Sequence, residues 1–235
     1  MKPEAMDVVY IVRPGDENEE LRYSLRTVAA NLPHRRVVIA GYTPDWVRNV
    51  YSIDVAQDGP KYLNAANNWR AAMADETVSE NFIVFNDDFY VMQPVREIPT
   101  LHRGSLESVI GYYGKYPGPY ISNMRRTRDV LEKLGFTDLK SYALHIPMVM
   151  NKTKRRIMDH VLAELGYEEH KVQMRTLYGN FWQIGGAEMA DVKAFKREHN
   201  PQPSTFISSN DSSFYDGKIG VLIREKFNEK GPYEA

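Results

Sequence analysis

An α/β fold, with a mixed but mostly parallel sheet flanked by helices, is the architecture that this sequence predicts. Three stretches carry that expectation. Val8 to Val12 and Arg36 to Ala40 are short apolar runs separated by a helical repeat, and Phe82 to Phe85 is a third run that empties into Asn86-Asp87-Asp88. Strand, helix and strand with short links form a βαβ unit. Its strands are covered on both faces, so they read as continuous apolar runs rather than alternating ones.

Val8-Val9-Tyr10-Ile11-Val12 is closed by Arg13-Pro14-Gly15-Asp16, a turn signal. Asn18 or Asp16 is placed to cap a helix on which Leu21, Leu25, Val28 and Ala29 recur at helical spacing as far as Asn31-Leu32-Pro33. The second run ends at Gly41. Thr43-Pro44-Asp45-Trp46-Val47 predicts a turn into a short helix, and Val50 to Ile53 a third strand. From Asn64 to Ala74 the spacing predicts a helix with Ala65, Trp69, Ala72 and Met73 turned inward. Beyond residue 95 the pattern loosens. Gly111 to Pro119 is rich in turns and tyrosine, Lys152 to Leu165 is an amphipathic helix with Ile157, Val161, Leu162 and Leu165 on its apolar face, Thr205 to Ser208 reads as strand, and Ile219 to Phe227 as helix.

Composition narrows the function. The 235 residues carry 30 Lys+Arg against 31 Asp+Glu, a net charge of -1, which argues against a generic polyanion binder. A hydrophobic share of 43% excludes a disordered chain. There is no cysteine, so thiolate catalysis, Cys-ligated zinc and disulfides are excluded, and a reducing compartment fits. Lys2, Glu4 and Asp7 precede a first apolar run too short for a signal-peptide core or a membrane span. A soluble, cytoplasmic protein is expected.

The strongest chemical signal is the acid pair Asp87-Asp88 directly after a buried strand, because ligands of open α/β sheets bind at the carboxyl ends of strands. Two adjacent carboxylates repel unless a cation lies between them, and Mg²⁺ or Mn²⁺ takes such oxygens. A capped turn is the competing reading. Asn210-Asp211 after Phe206-Ile207 is a second candidate, with a turn before the last helix as its alternative. His145, in Tyr142-Ala143-Leu144-His145-Ile146-Pro147-Met148, is either a base for an acceptor hydroxyl or a core residue. His34, His102, His160, His170 and His199 sit in polar surroundings and read as surface residues. Arg13, Arg22 and Arg175 have the chemistry to grip phosphate or to make ordinary ion pairs. The basic clusters Arg125-Arg126-Arg128 and Lys152-Lys154-Arg155-Arg156 read as solvated helix faces, with contact to an anionic acceptor open.

Taken in order, these segments resemble the Stealth proteins, the sugar-phosphate transferases of bacterial capsule synthesis with which the eukaryotic GlcNAc-1-phosphotransferase of lysosomal enzymes belongs. The resemblance runs from Asp7-Val8-Val9-Tyr10 and Glu20-Leu21-Arg22-Tyr23-Ser24-Leu25-Arg26 through Phe85-Asn86-Asp87-Asp88-Phe89-Tyr90 and His145-Ile146-Pro147. It ends at Ser208-Ser209-Asn210-Asp211 and Gly231-Pro232-Tyr233-Glu234. Departures are Arg13-Pro14-Gly15-Asp16 after the first strand and Gly231-Pro232 where Pro-Ser is usual.

The resemblance implies a glycosyltransferase-A-like (Rossmann-like) fold spanning 1–235 as one domain, with 1–95 as the donor-binding half and 96–235 as the acceptor side. It implies a nucleotide-sugar donor such as a UDP-sugar, and a glycan or protein acceptor, with a modified nucleic acid base less favoured. Asp7, Tyr10, Arg13, Arg22 and Asn86 would serve the donor, and Asp87 and Asp88 would hold Mn²⁺ or Mg²⁺. His145 would be the base or orienting residue at the acceptor hydroxyl, with Asp88, Arg175 and Asp211 completing the catalytic set, and Arg22 and Asn18 are alternatively structural braces. Transfer of sugar-1-phosphate and transfer of the sugar itself use nearly the same parts. A degenerate, sugar-binding module is the reading from another class.

Overall fold

The protein is described by a computed structural model over residues 5–235, so Lys2 and Glu4 lie outside the described residues. The first half alternates β1 (Asp7–Val12), α1 (Glu19–Asn31), β2 (Val37–Gly41), β3 (Tyr51–Asp54), α2 (Lys61–Ala74) and β4 (Asn81–Phe85). It continues through β5 (Phe89–Val91), β6 (Leu101–His102), α3 (Leu106–Tyr113), α4 (Pro119–Lys133), β7 (Met148–Asn151), α5 (Lys152–Glu164) and α6 (Met174–Phe181). The last elements are β8 (Ala187–Glu188), β9 (Phe206–Ser208), α7 (Asp211–Tyr215) and α8 (Lys218–Lys226).

The main sheet has the order β3-β2-β1-β4-β7. The first four strands are parallel and β7 is antiparallel on the edge beside β4. After β1 the chain winds outward to β2 and β3, then crosses back through α2 to β4 on the other side of β1. That reversal is the topological switch point, and it opens a crevice beyond the carboxyl ends of β1 and β4. Strand alternation divides the core. Val8, Tyr10 and Val12 face α1, with Leu21, Leu25 and Val28, whereas Val9 faces Ala72, Met73, Met158 and Leu177. Both faces are therefore covered, which is why the strands read as unbroken apolar runs.

Four expectations change. Thr43 to Val47 forms a turn rather than a helix, because the Trp46 indole N–H is committed to the Asp16 and Glu17 carbonyls, both at 3.0 Å. Gly111 to Pro119 links two helices, α3 and α4, whose apolar faces pack on each other through Val109, Ile110, Ile121 and Met124. The buried face of α5 carries Arg155, Met158 and Leu162, while Ile157 is exposed. Arg155 can be buried because Asp159 and Glu169 neutralise its guanidinium and Trp69 stacks 5.2 Å from it. His102 is buried rather than superficial, its Nδ1 accepting from the Gly104 N–H at 3.0 Å. Among the described residues no helix is long and apolar enough to cross a membrane.

Glu234 explains one part of the Glu20–Arg26 stretch. Its carboxylate, 1% exposed, takes Arg22 at 3.1 Å, Arg26 at 2.7 and 2.8 Å, and the Gly231 N–H at 2.9 Å. Burial alone would raise its pKa, but the arginines and the amide together pull it from 4.5 down to about 2. A depressed carboxylate stabilises the fold fully above its unfolded value. That stabilisation should therefore disappear between pH 4.5 and about 2. Glu234→Ala is expected to destabilise by about 2–4 kcal/mol at neutral pH by leaving two arginines unpaired. An unchanged melting temperature would refute this.

Candidate functional site

The site lies at the switch point. Asn18, the N-cap of α1, accepts from the Leu21 N–H at 3.1 Å and turns its amide N–H to Asp87 at 3.0 Å. The loop after β4 thereby borrows the cap of α1 to aim its first acid. Asp88 forms an ion pair with Lys193, while its second oxygen, Oδ1, is buried without a partner. Glu20, in the first turn of α1, is buried beside the pair and accepts from the Ser209 hydroxyl at 2.6 Å.

These carboxylates are crowded. Burial and the neighbouring Asp88 raise the pKa of Asp87, against the opposing pull of Asn18 and Arg13. Burial pushes Glu20 from 4.5 up to about 7, with Asp88 and Asp87 adding to it and Ser209 opposing. Glu20 is thus ionised in the unfolded chain above pH 4.5 but resists ionisation when folded until about 7. The cost to folding grows across that interval. Glu20→Gln keeps an acceptor for Ser209 and is expected to stabilise the ligand-free protein by about 1–3 kcal/mol above pH 7. Below pH 4.5 the two proteins should melt together, and a destabilised variant at high pH would contradict the assignment.

An open cleft of about 440 Å³ surrounds the acids, lined also by Arg13, Lys61, Asn64, Asn68, Asn86 and Asp211. Asn68 and Gln57 donate to the Val12 carbonyl at 3.3 and 3.0 Å and hold the end of β1 open. Gly41 has φ 120° and lies against the Val12 carbonyl and the Asn68 amide, so no side chain fits there. Arg13 and Asp211 face each other at 3.9 Å across the exposed rim.

Asn86 also lines a second chamber of about 270 Å³, bounded by Tyr62, Trp69, Tyr120, His145 and Arg175. His145 Nδ1 lies 2.8 and 3.0 Å from the two carboxylate oxygens of Asp191. Its ring stands edge-on to Phe89 and Phe195. Arg175 donates to the Leu144 and Ile146 carbonyls, both at 2.6 Å, one on each side of His145. Burial pulls its pKa from 12.5 to about 10, against the charges of Asp88 and Asp191.

The structure therefore brings Arg13, Asn86, Asp87, Asp88 and Asp211 around one cleft and His145 and Arg175 into the chamber beside it. Three donor-side expectations go elsewhere. Asp7 is at the amino end of β1, bound to Arg35 at 2.5 Å and the Ser79 N–H at 2.9 Å. A six-residue strand is about 20 Å long, so it is far from the crevice. Tyr10 is fully buried under α1, its hydroxyl on Ser24 at 2.8 Å. Arg22 braces Glu234 and stacks 4.1 Å over Trp46. Arg175, too, holds backbone rather than offering its donors to a phosphate.

Glu20, Asp191 and Lys193 were not legible as site residues. Glu20 looks like an ordinary first-turn acid, and Met189-Ala190-Asp191-Val192-Lys193 carries no motif. Among the described residues no three His, Asp or Glu side chains are grouped to hold a metal ion by themselves. The acid pair still fits a hard divalent ion in one respect. Asp88 Oδ1 is an unmatched buried oxygen in a locally anionic pocket, and Mg²⁺-type sites commonly use one or two carboxylates with ligand phosphates and water.

No protein-family model matches this chain, and no curated protein matches it in sequence. Among solved structures it is similar to the galactosyltransferase LgtC, determined in complex with donor and acceptor sugar analogs. The TM-score is 0.53 and the identity 11%, over 95% of each chain. An active-site mutant of LgtC gives a TM-score of 0.45 at 13% identity, over 97% of this chain and 85% of that one. The first likeness shows the fold: a mixed α/β glycosyltransferase-A arrangement with a mostly parallel sheet flanked by helices.

Proposed function

We propose that this chain, built on the glycosyltransferase-A fold, is a nucleotide-sugar transferase that acts on an acceptor hydroxyl. One observation carries the reading. An acidic cleft at the switch point adjoins, through Asn86, a chamber in which a carboxylate holds a histidine. In this scheme residues 1–95 supply most of the donor cleft and residues 96–235 most of the acceptor side.

The donor's diphosphate would lie by Asp87 and Asp88, the pair that would hold Mn²⁺ or Mg²⁺, with Arg13 and Lys61 offering positive charge along the cleft. The chemistry such an ion would supply is neutralisation of the diphosphate and of charge developing on the leaving group. His145 takes the proton of the acceptor hydroxyl. Asp211 sits at the rim, where it can meet an acceptor or orient Arg13. Arg175 keeps the backbone on both sides of His145 in place.

Transfer of sugar-1-phosphate is the favoured form, supported by the resemblance of the Glu20–Arg26 and Phe85–Tyr90 stretches to the Stealth proteins. Transfer of the sugar itself is the second form, supported by the fold shared with a galactosyltransferase. A UDP-sugar is the proposed donor, and a glycan or protein hydroxyl the proposed acceptor. A nucleic acid acceptor is less favoured by the net charge of -1.

The test is nucleotide release from UDP-, GDP-, CMP- and TDP-sugars with and without Mn²⁺, with products resolved by chromatography. UMP with sugar-1-phosphate would establish phosphotransfer, and UDP with free sugar would establish glycosyl transfer. Silence across the panel, with no donor binding by calorimetry, would leave a sugar-binding module instead.

A further inference from the structure

We infer that Asp191 is the positioning residue for His145, fixing the imidazole so that Nε2 is the atom offered to the acceptor. The inference rests on the acceptor-side reading of His145 and deepens it. Asp191 touches the histidine three times. Its Oδ2 and Oδ1 lie 2.8 and 3.0 Å from Nδ1, and Oδ1 also accepts the backbone N–H of His145 at 3.1 Å. Ring and backbone are thus held by one carboxylate, which leaves the imidazole little freedom to rotate.

The carboxylate is itself held. Its side chain is 8% exposed, and Arg103 donates to it at 3.2 Å while also donating to the Tyr113 hydroxyl at 3.1 Å. Burial alone would raise the Asp191 pKa, but the hydrogen bond and charge of His145, its amide and Arg103 together pull it below the ordinary value. An ionised acceptor at Nδ1 requires that Nδ1 carry the proton in the neutral ring. The lone pair then lies on Nε2, and no hydrogen bond of the described residues occupies that atom.

The same segment reaches the donor cleft. Two residues beyond Asp191, Lys193 pairs with Asp88, and the Ala194 N–H donates to the Ser208 carbonyl at 2.8 Å, tying the segment to β9. Residues 191–194 therefore hold the base of one chamber and an acid of the other in a single short span.

The step balances without any further reactant. The acceptor oxygen forms a bond to the electrophilic centre of the donor while the bond from that centre to the leaving phosphate oxygen breaks. The hydroxyl proton passes to Nε2, the resulting imidazolium is stabilised by Asp191, and the proton leaves to solvent when product departs. Asp191 remains ionised throughout.

The full-length chain provides the test, with water as the acceptor and the most rapidly hydrolysed nucleotide sugar of the panel as donor. Asp191→Asn is expected to lower kcat by up to about 10⁴-fold, the loss seen when a buried carboxylate behind a catalytic histidine is neutralised. Donor KM and the melting temperature should change little, and Asp191→Glu should recover part of the rate. Nitrogen NMR of His145 needs no substrate. The wild-type ring should be protonated at Nδ1, and Asp191→Asn should shift the neutral ring toward protonation at Nε2. A wild-type ring protonated at Nε2, or full kcat in Asp191→Asn beside an inactive His145→Ala, would overturn the positioning role. Full activity of His145→Ala would instead overturn the acceptor-side reading on which it rests.

Discussion

Asp88→Ala is expected to reduce nucleotide-sugar turnover by at least about 10²–10³-fold, the scale on which losing one preorganised electrostatic contact at the reacting centre is felt. Asp88 has two functions in the structure. One oxygen is paired with Lys193, and the other is buried without a partner and would be free to hold a divalent ion. Alanine removes both. Donor binding measured by calorimetry should lose its Mn²⁺-dependent component and keep the component supplied by Arg13 and Lys61. The fold should persist, because the core around β4 is made by Phe82, Ile83, Val84 and Phe85, not by the loop acids. Normal turnover of Asp88→Ala in the presence of Mn²⁺ would reduce the acid pair to a turn and remove the basis of the donor site.

His145→Ala should affect a different parameter. Its ring lines only the second chamber, so donor affinity and metal dependence are expected to stay at wild-type values. The rate of chemistry should fall by about 10²–10⁴-fold, the usual contribution of general acid–base catalysis. The separation matters because the two variants then divide the site along Ala65 and Asn86, which line both chambers. A donor-affinity loss in His145→Ala equal to that in Asp88→Ala would mean that the chambers do not act as donor and acceptor sides.

Much of the α/β half was legible because its signals are local. Val8 to Val12 and Phe82 to Phe85 declare buried strands by their own composition. The cap before the first apolar repeat was narrowed to Asn18 or Asp16, and the structure gives it to Asn18. The amphipathic reading of α5 failed at Arg155 for the opposite reason. Its burial depends on Glu169 and on Trp69, which belong to other elements and reach it only in the folded chain. Likewise α3 was hidden behind the glycines, prolines and tyrosines that follow it, because its helical state rests on packing against α4.

The sequence by itself determined the four parallel strands of the main sheet and offered Asp87, Asp88 and His145 as chemical candidates, since an acid after a buried strand and a histidine in an apolar run are visible without coordinates; the antiparallel edge strand β7 was not legible. Tertiary structure alone decided which charged groups serve them. Lys193 stands 105 positions from Asp88 and Asp191 stands 46 positions from His145. Glu20 meets Ser209 across 189 positions. It also decided that Asp7, Tyr10 and Arg22 belong to the framework: strand direction puts Asp7 at the edge away from the crevice, the pleat turns Tyr10 under α1, and Glu234 claims Arg22. Electrostatic interaction depends on distance through space and on burial, and neither is written along the chain until the backbone has closed.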